Sequence, residues 1–428
     1  MIAFVTNSGF LDGNTADGLR KCLSEEFSKI YIVNLRGNAR LSGEAWRKEG
    51  DKIFGQGSRA GVALIVLIKD NSKAGSAEIY YHDIGDYLSK EDKLSRLNKF
   101  SNINGVKWEQ IIPNENHDWI SKRDEKFELF PVIGVKRQKK EEKIFKTFSA
   151  GLKTNRDTWV YNFSIEELDN NVSSMIKEFN EHVSLVNNND ITSNNLQDTV
   201  NNDPTKISWS GDLKKKLLKG EYYNQEYGNT LISTYRPFVK EWVYFSNLFN
   251  NSIYLLPILF PEPNIDNLVI TIQAPGGTKD FSVLMVDNIP DLHLVGDTQA
   301  FPFYIYKTDK GSLFKEENLD NGSYITAPSG EHYICQKNVT DWALNEYRKR
   351  YGLDVTKEDI FYYVYGLLHS PDYRERYKHN LKRTLPHIPF VTSTEDFRSF
   401  SDAGRRLAEL HLYYENLPLF DQINKRRP

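Results

Sequence analysis

The segment VALIVLI, residues 62–68, is an unbroken apolar run, and IYIVNL, residues 30–35, is a largely apolar one. Before them, the spacing of Leu19, Leu23 and Phe27 predicts an amphipathic helix over roughly residues 16–27. Near-continuous apolar strands separated by a helix are typical of a sheet covered on both faces, as in doubly wound α/β folds. The sequence therefore predicts an α/β fold that begins with about half of such a sheet.

Two further strand signals flank this region. Ile2–Val5 is apolar where a domain terminus is ordinarily polar, and a turn rich in Asn, Ser and Gly follows it. AEIYYHDI, residues 77–84, is the other signal, with a charged helix expected over residues 89–98. We therefore expect Ile2–Val5 to be a sheet strand and not a frayed end.

The second half of the chain begins with a long amphipathic helix, predicted over residues 165–183. Residues 187–203 are dominated by Asn, Asp, Ser and Thr, which predicts a surface loop or a flexible insertion. Short β-like runs follow in residues 205–335, and the remainder is predicted to be helical. Three helix starts carry a cap or a proline: Thr356 with Asp359, Ser370 with Pro371, and Ser393 or Thr394.

Composition excludes several classes of protein. The 428 residues are 39% apolar and 26% charged, as in ordinary globular proteins. No stretch approaches the ~18 apolar residues of a membrane span, and the first residues lack a signal-peptide pattern, so a cytoplasmic location is expected. Cys22 and Cys335 are isolated and the nine histidines are scattered, so neither a disulfide framework nor a metal site is predicted.

Two basic clusters lie in this chain of formal net charge −3. The first comprises Lys136, Arg137, Lys139, Lys140 and Lys143, and the second Lys214, Lys215, Lys216 and Lys219. Because a duplex contacts one face of a protein, the net charge argues neither for nor against nucleic-acid binding. A solvated helix face explains each cluster equally well.

The glycine-rich stretch IFGQGSRAGVALIVLI, residues 53–68, invites comparison with a nucleotide-binding fingerprint. That fingerprint places its glycines after a strand and at the start of a helix, whereas these glycines precede a strand, so we reject it. Phe54 lies in this loop. An aromatic side chain displayed before a strand can stack on a base rotated out of a duplex, and the alternative is an ordinary buried Phe.

Two polar motifs are candidates for DNA contact. GLKTNRDTW, residues 151–159, places four polar side chains in one turn, and TYRPFVKEWVYF, residues 234–245, interleaves an arginine with aromatics. Such side chains suit phosphates or base edges, with Arg bidentate to guanine and Asn to adenine. The alternatives are local capping in the turn and a core role for the aromatics. The candidate DNA-binding residues are Lys153, Thr154, Asn155, Arg156, Tyr235, Arg236 and Trp242.

The sequence supplies no complete active site. It lacks the phosphate-binding GxxxxGK[ST] and nucleophile GxSxG motifs, and it contains no convincing carboxylate set for a nuclease. We therefore assign no catalytic residue.

The ordered series of motifs resembles the C-terminal part of type ISP restriction-modification enzymes, in which one polypeptide carries nuclease, helicase, adenine-N6 methyltransferase and target-recognition domains. The resemblance spans nearly the whole chain. Its markers are FVTNSGFLDG (4–13), GLRKCLSEEF (18–27), IFGQGSRAGVAL (53–64), GLKTNRDTWVYNFS (151–164), TYRPFVKEWVYF (234–245), DIFYYVYGLLHSPDYRERY (359–377) and LKRTLPHIPF (381–390).

This resemblance implies a division into two parts. Residues 1–143 would be the distal half of an adenine-N6 methyltransferase domain, with a partial Rossmann-like sheet, plus a connector. Residues 144–428 would be an α/β specificity domain that reads duplex DNA and ends in helices. Phe54 falls on the family's aromatic that stacks on the flipped adenine. Ile2–Val5 would then form an exposed apolar sheet edge.

The departures from the family pattern concern catalysis. The chain has neither the glycine-rich turn for S-adenosylmethionine nor a Pro-Pro pair, so the catalytic tetrapeptide is absent. S-adenosylmethionine, ATP and Mg²⁺ are therefore expected to bind upstream sequence in a complete enzyme, and this chain alone is expected to be inactive. Its expected role is sequence-specific DNA recognition, with double-stranded DNA and the missing upstream portion as partners. The alternative is a truncated or split-gene product that completes a separate methyltransferase half.

Overall fold

A computed structural model describes the chain in two compact units. The first comprises residues 1–129, 275–280 and 376–384, and the second comprises residues 130–274, 281–375 and 385–428. Within these units the structure describes residues 1–41, 43–55, 57–72, 75–135, 142–188, 191, 193, 195–277, 279–308 and 322–417.

The first unit contains a five-stranded sheet with the order β1-β3-β2-β4-β5. Strand β3 is antiparallel to both of its neighbours, whereas β2 and β4 are parallel. The predicted α/β class is confirmed, but the sheet is mixed and not doubly wound throughout. The elements are β1 (Ile2–Asn7), α1 (Asp17–Glu26), β2 (Lys29–Arg36), α2 (Gly43–Glu49), β3 (Val62–Ile68), β4 (Glu78–Asp83), α3 (Lys90–Phe100) and β5 (Glu109–Ile111).

Strand β1 lies at one edge of this sheet, and all six of its residues are exposed. Ile2, Phe4 and Val5 keep 48%, 51% and 58% of their surface in contact with solvent. The exposed apolar edge expected at Ile2–Val5 is therefore present.

Helix α1 packs only part of its predicted apolar stripe against the core, since Leu23 and Phe27 contact it and are partly buried. Its fully buried residues are Arg20 and Ser24, while Leu19 is 50% exposed. The cause is the Arg20 guanidinium, which donates to the carbonyls of Phe10, Gly13 and His117 at 2.7–3.1 Å. Because a buried guanidinium must satisfy its donors, this bonding turns the side of α1 that carries Arg20 and Ser24 fully inward and leaves Leu19 at the surface.

The second unit contains three small sheets and most of the helices. The sheet orders are β11-β10-β13-β6, β12-β8-β9-β7 and β14-β16-β15. Its strands are β6 (Ser149–Ala150), β7 (Tyr161–Asn162), β8 (Asn229–Arg236), β9 (Val239–Phe245), β10 (Val269–Ile272), β11 (Val283–Val286), β12 (Ile289–Pro290), β13 (Gln299–Pro302), β14 (Tyr304–Thr308), β15 (Gly322–Thr326) and β16 (His332–Lys337).

The remaining helices confirm the predicted helical C-terminal region. They are α4 (Asp157–Val160), α5 (Ile165–Asn188), α6 (Leu196–Thr199), α7 (Gly211–Leu217), α8 (Leu256–Leu259), α9 (Asp341–Tyr351), α10 (Lys357–His369), α11 (Pro371–Arg376), α12 (Lys378–Leu381) and α13 (Thr394–Leu412). The Thr356–Asp359 capping box and the Ser393 cap both form. Helices α10 and α13 make close backbone contact, because a Cβ at Gly404 would lie 2.0 Å from the Tyr362 carbonyl oxygen. In the part of the chain described above, none of the helices is both long and apolar enough for a bilayer crossing.

The second compact unit starts at residue 130, where the Ile133 amide donates to the Pro386 carbonyl at 2.8 Å. The expected start of the specificity domain near residue 143 stays a prediction. The expected flexible insertion at 187–203 overlaps the end of α5 and contains α6. Leu196 and Val200 are buried in the core of the second unit, so a continuous flexible loop is wrong for its described residues. The polar composition of this segment predicted a flexible loop, but burial of only two apolar side chains is enough to fix a polar segment to the core.

Candidate nucleic-acid interface

The segment GLKTNRDTW is bonded on both sides to neighbouring loops. The Leu152 amide donates to the Pro290 carbonyl at 2.8 Å, and Lys153 exchanges two backbone hydrogen bonds with Ser252. Gly151 permits this approach, because a Cβ there would lie 2.5 Å from the Asp291 carbonyl oxygen. The polar turn that follows therefore starts from a fixed backbone.

Arg156 and Thr154 face the interior of the second unit, with 3% and 2% of their surface exposed. The Arg156 guanidinium donates to the Ser208 carbonyl at 3.2 Å, to the Thr154 and Phe249 carbonyls, and to the Ser210 hydroxyl. Burial lowers the pKa of Arg156 to about 10, so the side chain remains charged at neutral pH. Both side chains hold the turn, which favours the local-capping alternative for Arg156 and Thr154, while direct DNA contact by these two residues stays a prediction.

Asn155 and Lys153 lie on the opposite side of the same turn. Asn155 adopts a positive φ of 59° and is exposed, and its amide nitrogen donates to the Asn251 side-chain oxygen at 2.8 Å. A side-chain amide has two N–H donors and one acceptor, so the remaining groups can bind a ligand. Lys153 is half-buried and makes no side-chain ion pair with any described residue. These two residues are the outward-facing members of the predicted set.

The TYRPF motif forms the turn of the β8–β9 hairpin. The Arg236 guanidinium lies over the Tyr235 ring, 3.8 Å from its centroid, and its Nη1 atom donates to Asp291 at 2.7 Å. The Arg236 side chain is 36% exposed, whereas Asp291 is only 3% exposed. Of the five guanidinium N–H groups, those on Nε and Nη2 have no partner among the described residues. Arg236 is therefore held in place by Tyr235 and Asp291, and the N–H groups on its Nε and Nη2 atoms are available to a ligand.

Asp291 and Asp157 tie the two motifs together. The Tyr235 hydroxyl donates to Asp157 at 3.0 Å, and the Tyr161 hydroxyl donates to Asp291 at 3.3 Å. Burial raises the pKa of Asp291, although the backbone amide of His293 and the charge of Arg236 oppose this. Sequence reasoning missed Asp291 and Asn251, because neither lies in a recognisable motif.

Trp242 and Phe54 lie in different settings. Trp242 is half-buried and packs against the core of the second unit, which favours the structural alternative for this residue. Phe54 lies in the loop before β3 of the first unit and is 54% exposed, so the buried-Phe alternative is wrong. An exposed ring on a loop is the geometry that base stacking requires, and stacking by Phe54 stays a prediction.

The basic clusters are described only in part. Lys136, Arg137, Lys139 and Lys140 lie outside the described residues, and Lys143 donates to the Lys146 carbonyl at 3.1 Å. In the second cluster, Lys216 pairs with Asp212 at 2.9 Å. No group of three or more His, Cys, Asp or Glu side chains suited to a metal ion occurs among the described residues.

Comparison with known families assigns this α/β domain, with its two paired motifs, to a class: the specificity domains of restriction-modification enzymes. Residues 143–428 match the type ISP C-terminal specificity domain, which is more than half of the chain. The chain belongs to the type ISP restriction-modification family.

Solved structures show the same relationship. One is a nuclease-deletion mutant of the type ISP enzyme LlaGI in complex with a DNA substrate mimic, which is 36% identical in sequence to this chain. The two structures superpose with a TM-score of 0.78, and the match covers 98% of this chain and 30% of the LlaGI chain. The DNA-bound type ISP enzyme LlaBIII is 33% identical with a TM-score of 0.79, and the match covers 98% of this chain and 25% of the LlaBIII chain. The DrdV–DNA complex is 31% identical with a TM-score of 0.77, and the match covers 97% of this chain and 38% of the DrdV chain. No match was found among curated proteins. The chain thus spans well under half the length of these neighbours.

Proposed function

We propose that this chain binds double-stranded DNA and supplies sequence-specific target recognition to a restriction-modification enzyme. The observation that carries the proposal is the pair Asn155 and Arg236, one exposed amide and one exposed guanidinium, held on a common support. The support consists of Asp291, which accepts from Arg236, and Asp157, which accepts from Tyr235 and thereby connects the turn to the hairpin. The DNA complexes of the neighbouring enzymes support the choice of ligand.

The chemistry of these side chains suits readout of the major groove. Arginine binds guanine and asparagine binds adenine through paired hydrogen bonds, while Lys153 suits a phosphate. Because the Tyr235 ring and Asp291 already fix the Arg236 rotamer, binding loses less side-chain entropy than it would with a free arginine. The buried Arg156 and Thr154 contribute by positioning Asn155.

Adenine-N6 methylation and ATP-dependent cleavage would require sequence outside this chain. S-adenosylmethionine, ATP and Mg²⁺ would bind there, because this chain lacks their motifs and its described residues contain no carboxylate cluster for the metal. What the chain would contribute to methylation is Phe54, whose exposed ring suits stacking on a flipped adenine. The proposed division is therefore recognition here and chemistry elsewhere.

Selection of bound duplexes from a random library tests the proposal. We expect an enriched sequence whose affinity falls steeply with salt, and Arg236→Ala should weaken its binding by about 1–3 kcal/mol while relaxing the preference at one base pair. Arg350→Ala is the matched control. Arg350 also lies over an aromatic ring, that of Phe390 at 3.9 Å, and pairs with Glu346, but it is on α9. Absence of enrichment together with salt-independent affinity would contradict the proposal.

A second candidate function is docking on a separate polypeptide that carries the upstream methyltransferase half. The observation that favours it is the exposed β1 edge, next to a groove of about 460 Å³ lined by Phe4, Leu19 and Leu23. Unpaired backbone groups and exposed apolar side chains on an edge strand are typical of surfaces that pair with another chain.

Copurification with the upstream polypeptide tests this second candidate. Val5→Lys should abolish copurification, because the charge would have to be buried at the strand edge, whereas Ile112→Lys should not. Ile112 is a suitable control since it is also apolar, exposed and in the first unit, at 73% exposure. Equal recovery of both variants would exclude docking through β1.

A further inference from the structure

A second exposed polar surface lies beside α7 in the specificity domain. A groove of about 370 Å³ is lined by Lys219, Tyr222, Tyr227 and Asn247, among others. Lys215 is also exposed, four residues before Lys219. We call Lys215, Lys219, Tyr222 and Tyr227 the flanking surface.

The four lysines of the second basic cluster, residues 214–219, divide into two kinds. Lys214 and Lys216 are used within the protein: Lys214 donates to the Asn202 side chain at 3.1 Å, and Lys216 donates to the Asn247 carbonyl at 2.8 Å. Lys215 and Lys219 are exposed and make no side-chain hydrogen bond or ion pair with any described residue. Their charges are therefore available to a ligand, offset only in part by Glu221 at the groove.

The tyrosines of the flanking surface are held while remaining accessible. Tyr222 and Tyr227 are 58% and 69% exposed. The Tyr222 hydroxyl lies 3.1 Å from the Ser184 hydroxyl, and the Tyr227 ring packs edge-on against Tyr223 with centroids 5.4 Å apart. The Tyr222 and Tyr227 rings and the Lys219 ammonium group thus border one groove and are all exposed, so aromatic, hydroxyl and cationic groups are available there to a ligand.

One segment, residues 246–252, connects this surface to the candidate interface. Asn251 accepts from the outward Asn155, and Asn247 accepts from Lys216. Four residues of chain span at most about 14 Å, so the two surfaces are neighbours. Along a duplex, in which each strand has one phosphate per ~3.4 Å of axis, that span corresponds to at most about four base pairs.

We infer that the flanking surface contacts backbone phosphates of the duplex to one side of the bases read by Asn155 and Arg236, within about four base pairs of them. This inference rests on the proposed function and extends its DNA footprint. Lysine, tyrosine and asparagine are among the residue types that bind phosphate and sugar in duplex complexes. The flanking surface would raise affinity without adding sequence preference.

The test is the salt dependence of binding to a 30-bp duplex by Lys215→Ala/Lys219→Ala, measured by fluorescence anisotropy between 50 and 200 mM salt. Each lost phosphate contact lowers the slope of log K against log salt by about 0.9, so the ratio of wild-type to variant affinity should fall about 12-fold across this range. Lys307→Ala/Lys349→Ala, which removes the same charge from exposed positions elsewhere in the domain, is the control.

The outcomes separate this inference from the proposed function. If the wild-type chain binds duplex DNA with salt-sensitive affinity but the variant has the same slope, the flanking surface is not a phosphate contact and the proposed function stands. If the wild-type chain does not bind duplex DNA, the proposed function fails. Stronger binding of single-stranded than duplex DNA, lost in Tyr222→Ala/Tyr227→Ala, would overturn the duplex assignment in favour of base stacking.

Discussion

Arg156→Ala should destabilise the specificity domain by about 3–5 kcal/mol, because it leaves the Ser208 and Phe249 carbonyls without a donor, each at a cost of about 1–3 kcal/mol when buried, and removes one of two donors from the Thr154 carbonyl and the Ser210 hydroxyl. The acceptors belong to Thr154, Ser208, Ser210 and Phe249. Urea denaturation, followed by hydrogen exchange of the amides of residues 151–160, measures the effect.

Two further variants distinguish this structural role from DNA contact. Arg156→Lys retains the charge but cannot reach all four acceptors, so it should be nearly as unstable as Arg156→Ala. Asn155→Gly preserves the positive φ and removes the outward amide, so it should retain stability and lose DNA affinity. If Arg156→Ala is as stable as the wild-type chain yet binds DNA weakly, Arg156 contacts the ligand and its buried conformation is not the functional one.

Asp118→Asn should destabilise the first unit by about 3–5 kcal/mol, because it removes the charge that compensates three arginines. The Asp118 carboxylate is fully buried and pairs with Arg20 at 3.5 Å, Arg123 at 2.8 Å and Arg383 at 2.5 Å. Thermal unfolding of the variant, followed by hydrogen exchange in residues 1–129, measures the loss. Glu346→Gln is the control, since this carboxylate, whose side chain is 20% exposed, also holds two cations but should contribute about 1 kcal/mol or less at the protein surface.

The same carboxylate gives the first unit an acid limit. Burial alone would raise the pKa of Asp118, but the Arg123 hydrogen bonds and the Arg383 charge outweigh it and lower the pKa below its usual range. A carboxyl with a depressed pKa stabilises the folded state above the unfolded pKa of about 4, and this contribution is lost as pH falls through the folded value. Stability of Asp118→Asn should therefore vary less with pH below 4 than that of the wild-type chain, and an unchanged acid profile would contradict this assignment.

Local signals in the sequence explain which parts of the fold were predictable. The Thr356–Asp359 capping box lies within one turn, so its helix start could be read directly. The inward face of α1 could not, because Arg20 bonds to the His117 carbonyl, 97 residues away. The parallel and antiparallel pairing of β1–β4 likewise depends on long-range contacts that apolar runs do not encode.

The candidate site was predictable in composition but not in orientation. Both motifs could be recognised as polar turns with side chains suited to DNA contact, and the structure brings them together through Asp157 and Asp291. Whether Asn155 or Arg156 faces outward is decided by the backbone at Asn155, with its φ of 59°, and by acceptors as distant as Phe249. Asn155 and Arg156 are neighbours and both donate hydrogen bonds, yet the first side chain is exposed and the second is buried.

The inward and outward alternation along GLKTNRDTW has an evolutionary consequence. Because the groups that fix the turn are buried and the groups available to a ligand are on its outer side, a change at Lys153 or Asn155 leaves the buried network intact. New recognition sequences can then arise by single substitutions that carry little folding cost, provided that position 155 tolerates a left-handed backbone. Arg156 and Asp291, by contrast, would remain fixed while the target sequence diverges.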